Sequence, residues 1–222
     1  MPRRRLSEMQ VDIQKLTALV DEAKKNSQKR NFEQAMELVV NFKGLDVKAP
    51  ENRINETVTL SNPIGRDVKV CIIADGDLVV KARNAGADMV ITKQEIDQYA
   101  GNKKAVKKLA EKYDYFAART DLMATVGKTL GSVLGPRGKM PEPIPPSANV
   151  EPLIKKYRSA VRIKIRDQPA IRCRIGSEKM ESKAIAENIM SVLNTIDRKI
   201  KLDQYLSSIV VKTTMGKPAK LR

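Results

Sequence analysis

The chain has 222 residues, with 42 Lys and Arg against 26 Asp and Glu, a net charge of +16 and no histidine, which fits one or two domains carrying a strong excess of positive charge. The missing histidine and the wide separation of the only two cysteines, Cys71 and Cys173, exclude the usual metal clamps and Ser-His triads. The longest uncharged apolar run, around Val70 to Ala74, is far short of the roughly 20 residues of a membrane span, so a membrane is not an expected partner.

In chain order, Met1-Pro2-Arg3-Arg4-Arg5 is followed by a stretch studded with Glu8, Asp12 and Lys15, which gives no apolar core of an export signal. Ser7, with Gln10 three residues on, predicts the cap of a long helix striped by Met9, Ile13, Leu16 and Val20. Met36, Leu38, Val40 and Phe42 alternate with Glu37, Val39, Asn41 and Lys43, the period of a strand, and Thr57 to Leu60 gives another. After Ser61-Asn62-Pro63-Ile64-Gly65 the texture changes. A buried-strand run, Val68 to Ala74, leads through Asp75-Gly76-Asp77 into a helix from Leu78 to Ala85 and a strand at Met89-Val90-Ile91, a βαβ pattern. A helix over Lys103 to Tyr113, a short apolar run at Tyr115 to Ala118 and a helix capped by Asp121 and ending near Gly131 continue the alternation. The proline-dense segment Met140 to Ser147 is expected to lack regular structure.

Beyond it, Val161-Arg162-Ile163-Lys164-Ile165-Arg166 and Ile171-Arg172-Cys173-Arg174-Ile175 alternate strictly and are joined by Asp167-Gln168-Pro169, which predicts a hairpin with five cations on one surface. A polyanion would relieve that repulsion; an ordinary solvated sheet face is the plainer alternative. A helix from about Ser182 to Ile196 and a strand at Ile209-Val210-Val211 complete the pattern. The fold class expected is therefore a two-domain α/β protein. A discontinuous α+β sandwich domain, residues 1–63 and 157–222, is built from both chain ends, and residues 64–156 form an inserted three-layer, Rossmann-like α/β domain. Residues 1–63 carry 11 cations against 9 anions, 64–156 carry 16 against 11, and 157–222 carry 15 against 6. The excess is thus concentrated towards the C-terminus.

Few residue constellations promise chemistry. Gly127-Lys128-Thr129 and Gly138-Lys139 both lack the upstream glycine of a phosphate-binding loop. Asp75-Gly76-Asp77 after a strand fits a nucleotide or metal loop, and equally a cap and turn. The run Lys103-Lys104-Ala105-Val106-Lys107-Lys108 is a solvated helix face or a phosphate contact. Three Phe and five Tyr with no Trp give no cluster of base-stacking platforms, so an RNA partner would be a folded or duplex one, read by backbone and shape. The two thiols fit buried, reduced residues of a cytosolic protein.

Two segments stand apart: Leu134-Gly135-Pro136-Arg137-Gly138-Lys139-Met140-Pro141, and Ser208-Ile209-Val210-Val211-Lys212-Thr213-Thr214-Met215-Gly216. Both resemble signatures of the ribosomal protein L-one family, the large-subunit proteins of the lateral stalk, and the order of elements agrees over nearly the whole chain. Glu142-Pro143-Ile144-Pro145-Pro146 is more proline-rich than the bacterial pattern, and the ending Gly216-Lys217-Pro218 looks archaeal or eukaryotic-like, with archaeal the expectation. The resemblance implies a non-enzymatic ribosomal protein of the cytoplasm, monomeric off the ribosome, without metal or cofactor. Its implied partners are the stalk helices of large-subunit rRNA, deacylated tRNA leaving the exit site, and its own mRNA as a translational repressor. It places RNA contacts on Arg30, Phe32, Glu37, Ser208, Thr213, Thr214, Met215 and Gly216, beside the cationic Arg162, Lys164 and Arg166. Strand parity alone would put Phe32 with the core residues Met36 and Leu38. A nucleotide-dependent enzyme using the α/β insert and a generic RNA-coating protein are the rival readings.

Overall fold

A computed structural model describes residues 12–49 and 52–221, so the expected cap at Ser7 lies outside the described residues. The chain divides into two compact units, one of residues up to 66 together with 159 onwards, the other of residues 67–158.

In the first unit, helix α1 (Ile13–Lys25) precedes strands β1 (Ala35–Phe42) and β2 (Asn55–Thr59). β1 is the central strand of an antiparallel sheet whose other members lie in the C-terminal part: β8 (Ala170–Ser177) on one side, then β9 (Leu206–Thr213) and β10 (Ala219–Leu221) on the other. Met36, Leu38 and Val40 of β1 are wholly buried, and so are Ile171 and Ile175 of β8 and Val211 of β9. α1 packs against α8 (Ser182–Asp197) and β9, and α8 packs on β8. Leu16, Val20 and Ala23 of α1, with Ile185, Ile189, Val192 and Ile196 of α8, complete this core. The remaining strand, β7 (Ala160–Lys164), pairs with β2 in a separate two-stranded ribbon, Thr59 opposite Ala160 and Asn55 opposite Lys164.

That pairing corrects the predicted hairpin. β7 and β8 are consecutive but belong to different sheets. Alternation specifies which face of a strand is buried and says nothing of its partner. Both strands find partners in the N-terminal part, and Ile165 and Pro169 follow suit: Ile165 N–H donates to the Ile54 carbonyl at 2.8 Å and the Pro169 carbonyl accepts from Phe42 N–H at 2.8 Å. The five cations therefore do not form one cross-strand ladder. Arg172 and Arg174 stand on the four-stranded sheet, whereas Arg162 and Lys164 stand on the ribbon.

The second unit is built on a parallel sheet in the order β4 (Met89–Ile91), β3 (Val70–Ile73), β5 (Tyr115–Arg119), β6 (Glu142–Ile144). Cys71, Ile73, Phe116 and Ala118 form a core with residues of α3 (Lys93–Tyr99), α4 (Lys103–Lys112), α5 (Met123–Thr129) and α6 (Gly131–Leu134). On the other face Tyr115 stacks on Tyr157 of α7 (Glu151–Arg158), ring centroids 5.1 Å apart, and α2 (Asp77–Asn84) packs beside β4. The proline-dense segment does contain regular structure, because β6 is an edge strand, where a proline costs no ladder donor. The single helix expected after Asp121 is a 3₁₀ turn, Thr120–Leu122, followed by α5 and α6. α3, α7, the short α9 (Leu202–Tyr205) and β10 have no counterpart in the sequence reading. Cys71 and Cys173 are free thiols, one buried in each unit.

Candidate nucleic-acid interface

One rim of the four-stranded sheet gathers three connections: α1 to β1, β8 to α8, and β9 to β10. Gln34, with no exposed surface, ties them together. Its amide nitrogen donates to Ser27 Oγ at 2.9 Å and to the Gln28 carbonyl at 3.0 Å, while its Oε1 accepts from Met215 N–H at 3.1 Å. Its own carbonyl accepts from Glu178 N–H at 3.0 Å. Thr213, equally buried, donates its hydroxyl to Ser27 Oγ at 2.9 Å. Thr214 continues the strand pairing, its N–H donating to the Ala35 carbonyl at 3.0 Å and its Oγ1 accepting from Ala35 N–H at 3.1 Å. A Cβ on Gly216 would lie 2.2 Å from Thr213 Oγ1, so the turn passes too close to its own strand for a side chain.

Inward commitment of these polar groups leaves two large apolar side chains outside. Phe32 is 52% exposed and Met215 60% exposed. Phe32 thus stands apart from the core to which strand parity assigns it: β1 begins only at Ala35, and parity has no force before the pleat starts. Arg30 and Lys217, on the same connections, are exposed.

Charge on the rim is arranged in rows across the sheet. Glu37 faces Lys212 on one side and Arg174 on the other, with Lys212 Nζ 3.8 Å from its carboxylate. Burial, and then the neighbouring Arg66, pull the Arg174 pKa below its ordinary value, so an added anion would be welcome there. Glu33 accepts from the Ser177 hydroxyl and pairs with Lys179 Nζ at 3.0 Å, and these partners hold its carboxyl below the usual range. Lys24 donates to the Met180 carbonyl, and burial lowers its pKa. Lys24, Ser27, Gln28, Lys29, Glu178 and Thr213 line a cavity of about 300 Å³ beside the turn.

Not every residue implied by the sequence belongs to this rim. Ser208 lies five residues back along β9, about 17 Å away in an extended strand; it is buried and its Oγ accepts from Asn41 Nδ2 at 3.1 Å. Lys164 and Arg166 are exposed and Arg162 half-buried, on or just beyond the ribbon strand β7. Conversely, Gln34, Ser27 and Ser177 carry the rim and were not singled out. A lone glutamine before a strand has no signature of its own, because its partner at Met215 is 181 positions away.

In the α/β unit the crevice at the ends of β3 and β5, where ligands of such sheets bind, is occupied by protein. Arg119 reaches across to donate to the Asp75 carbonyl at 3.1 Å and pairs with Asp121 at 2.7 Å. Asp75 itself accepts from Gly76 N–H, a local turn. Lys128 and Thr129 lie within helix α5, not on a phosphate loop.

The chain is thus an antiparallel α+β unit interrupted by a parallel α/β unit, with the Thr213 to Gly216 turn closing one rim of the first. The sequence model of the Ribosomal protein L1p/L10e family matches residues 23–217, and the chain belongs to that family, whose members are structural proteins and not enzymes. Among its relatives, the proteins named large ribosomal subunit protein uL1 of Methanothermobacter thermautotrophicus and Pyrobaculum arsenaticum are 48% and 45% identical. These matches cover 91% and 93% of this chain, and 96% and 93% of the relatives. A third, from Methanothermococcus thermolithotrophicus, is 43% identical over 95% of this chain and 99% of its own length. The sequence is of archaeal type.

Proposed function

We propose that this protein is a constituent of the large ribosomal subunit and grips the stalk helices of large-subunit rRNA with the rim around Gln34. The observation that carries this reading is the pair of exposed apolar side chains, Phe32 and Met215, held on a turn whose own polar groups are already satisfied. Such a surface can lie against riboses and bases, while Arg30, Arg174, Lys212 and Lys217 supply phosphate contacts. Gly216 lets backbone approach RNA closely, and Thr214 Oγ1, which accepts from Ala35 N–H and donates to the Ala35 carbonyl only at 3.4 Å, can turn that proton to a ribose 2′-hydroxyl. Arg162, Lys164 and Arg166 add charge from the ribbon. As the resemblance implies, the stalk so formed assists release of deacylated tRNA from the exit site. The free monomer binds a similar RNA shape in its own mRNA and represses its translation.

Footprinting of the full chain on total rRNA tests the core of this reading: one protected stem region in the large-subunit rRNA is expected. Thr214→Val should weaken binding to that region at least tenfold, roughly the 1.4 kcal/mol of one oriented hydrogen bond. Diffuse protection and equal affinity for unrelated RNA of the same length would overturn it in favour of generic coating.

A further inference from the structure

The α/β unit, residues 67–158, carries 16 Lys and Arg against 11 Asp and Glu, and that net +5 is unevenly distributed. Helix α4, KKAVKKLAEK, holds five lysines and one glutamate; the rest of the unit is therefore within one charge of neutrality. Val106, Leu109 and Ala110 turn inward while Lys103, Lys104, Lys107, Lys108 and Lys112 are all exposed. Lysines at 103 and 107, 104 and 108, and 108 and 112 are four apart, the spacing at which like charges repel on a helix. Its one acid, Glu111, is engaged by Arg137 at 3.0 Å. Among the described residues none of the five lysines is in an ion pair.

Beside the start of α4 lies a cavity of about 210 Å³, lined by Lys103, Lys128, Thr129 and Ser132 against Tyr99 and Val106. The Thr129 hydroxyl is spent on the Thr125 carbonyl at 2.9 Å, which leaves two lysines and the Ser132 hydroxyl at one concavity, donors that suit a phosphate ester. No exposed large apolar residue stands on this helix, so it lacks the anchors on which protein partners are held.

We propose that the exposed lysine face of α4, with the adjoining Lys103 and Lys128 cavity, is a second RNA-binding surface that grips phosphodiester backbone without reading sequence. It rests on the view that the partner of this chain is RNA, but not on which residues of the rim recognise it. A rim that discriminates and a separate lysine face that supplies non-specific affinity would divide the task of RNA binding between the two units.

The test measures binding of the full chain to a mixed-sequence RNA duplex of about 20 base pairs across a salt series, where each phosphate neutralised contributes about 0.9 to the slope of log K against log salt. Replacing Lys103, Lys104, Lys107 and Lys108 together with Ala should reduce that slope by about 3.6 and weaken binding at about 0.1 M salt at least tenfold. The same four replaced with Arg should retain the slope, which separates charge from folding, and Lys128→Ala should remove about 1. An unchanged slope in the Ala variant, with an unchanged melting curve, overturns the proposal. So does loss of binding to polyglutamate without any change on RNA, which would assign the face to an acidic protein. Failure of the rim reading has a different signature: Thr214→Val would leave stalk rRNA binding intact while the lysine variant still lost its salt slope.

Discussion

Gln34→Leu removes the tie of the rim while keeping its volume, so no cavity contributes. Three side-chain hydrogen bonds are lost, to Ser27 Oγ, the Gln28 carbonyl and Met215 N–H. Ser27 keeps Thr213 as a partner, and the Gln28 and Met215 groups lie close enough to solvent to recruit water, so each loss is taken at about 1 kcal/mol rather than the full penalty of a buried orphan. The expected destabilisation is about 3 kcal/mol, or roughly 10 °C in Tm at about 3 °C per kcal/mol for a unit of this size. Because the turn from Thr213 to Gly216 then keeps its strand pairing and the Thr213 and Thr214 hydroxyl bonds but loses the bond that fixes Met215, affinity for stalk rRNA should fall more than tenfold while the salt slope on duplex RNA is unchanged. Urea unfolding, melting curves and filter binding read these effects. A change below about 0.5 kcal/mol together with wild-type affinity would show that Gln34 does not hold the turn.

Gly216→Ala must push Thr213 Oγ1 out of its bond to Ser27, and is expected to cost about 1–3 kcal/mol and to weaken RNA binding with it, by the same measurements. Glu33 has its pKa lowered in the folded state, first by the Ser177 hydroxyl and then by Lys179; its contribution is therefore present above the ordinary carboxylate value and lost as pH falls through the lower folded value. The stability difference between the wild type and Glu33→Gln should accordingly be constant near neutrality and vanish in acid, as followed by denaturant titration. Burial pushes both thiols up to about 12, so neither Cys71 nor Cys173 should react with a thiol reagent at mildly alkaline pH until its unit unfolds. Mass spectrometry along a urea series then reports the two units separately, and rapid native labelling would contradict the burial.

Much of the architecture is written in local periodicity. The stripe of α8 and the alternation of β1 follow from burial on one side, and the continuous apolar run of β3 follows from burial on both. What periodicity lacks is partnership. β7 and β8 read as a hairpin because they are adjacent and alternate, yet their partners lie more than a hundred residues back, where no local rule reaches. Pro143 likewise argued against a strand until its place at a sheet edge removed the objection. In the candidate interface, the glycine and methionine of the terminal turn were legible as a motif. The inward roles of Gln34 and Thr213 were not, since a hydroxyl or amide shows its direction only when its partner is in place.

The central position of β1 has a consequence for synthesis. β1 is made early, but both of its sheet partners come after the α/β unit, and β9 begins at residue 206. At about 5–20 residues per second, β1 waits roughly 10–30 s for its second neighbour. The α/β unit, contiguous in sequence, is free to fold in that interval. Glu37 and Asn41, which interrupt the outward face of the waiting strand, act as gatekeepers against pairing with other nascent chains. A chain released before residue 214 lacks the bonds from Ala35 to Thr214 and from Gln34 to Met215. It would therefore leave with a folded insert and no rim, so competence to grip RNA certifies that translation ran past the terminal turn.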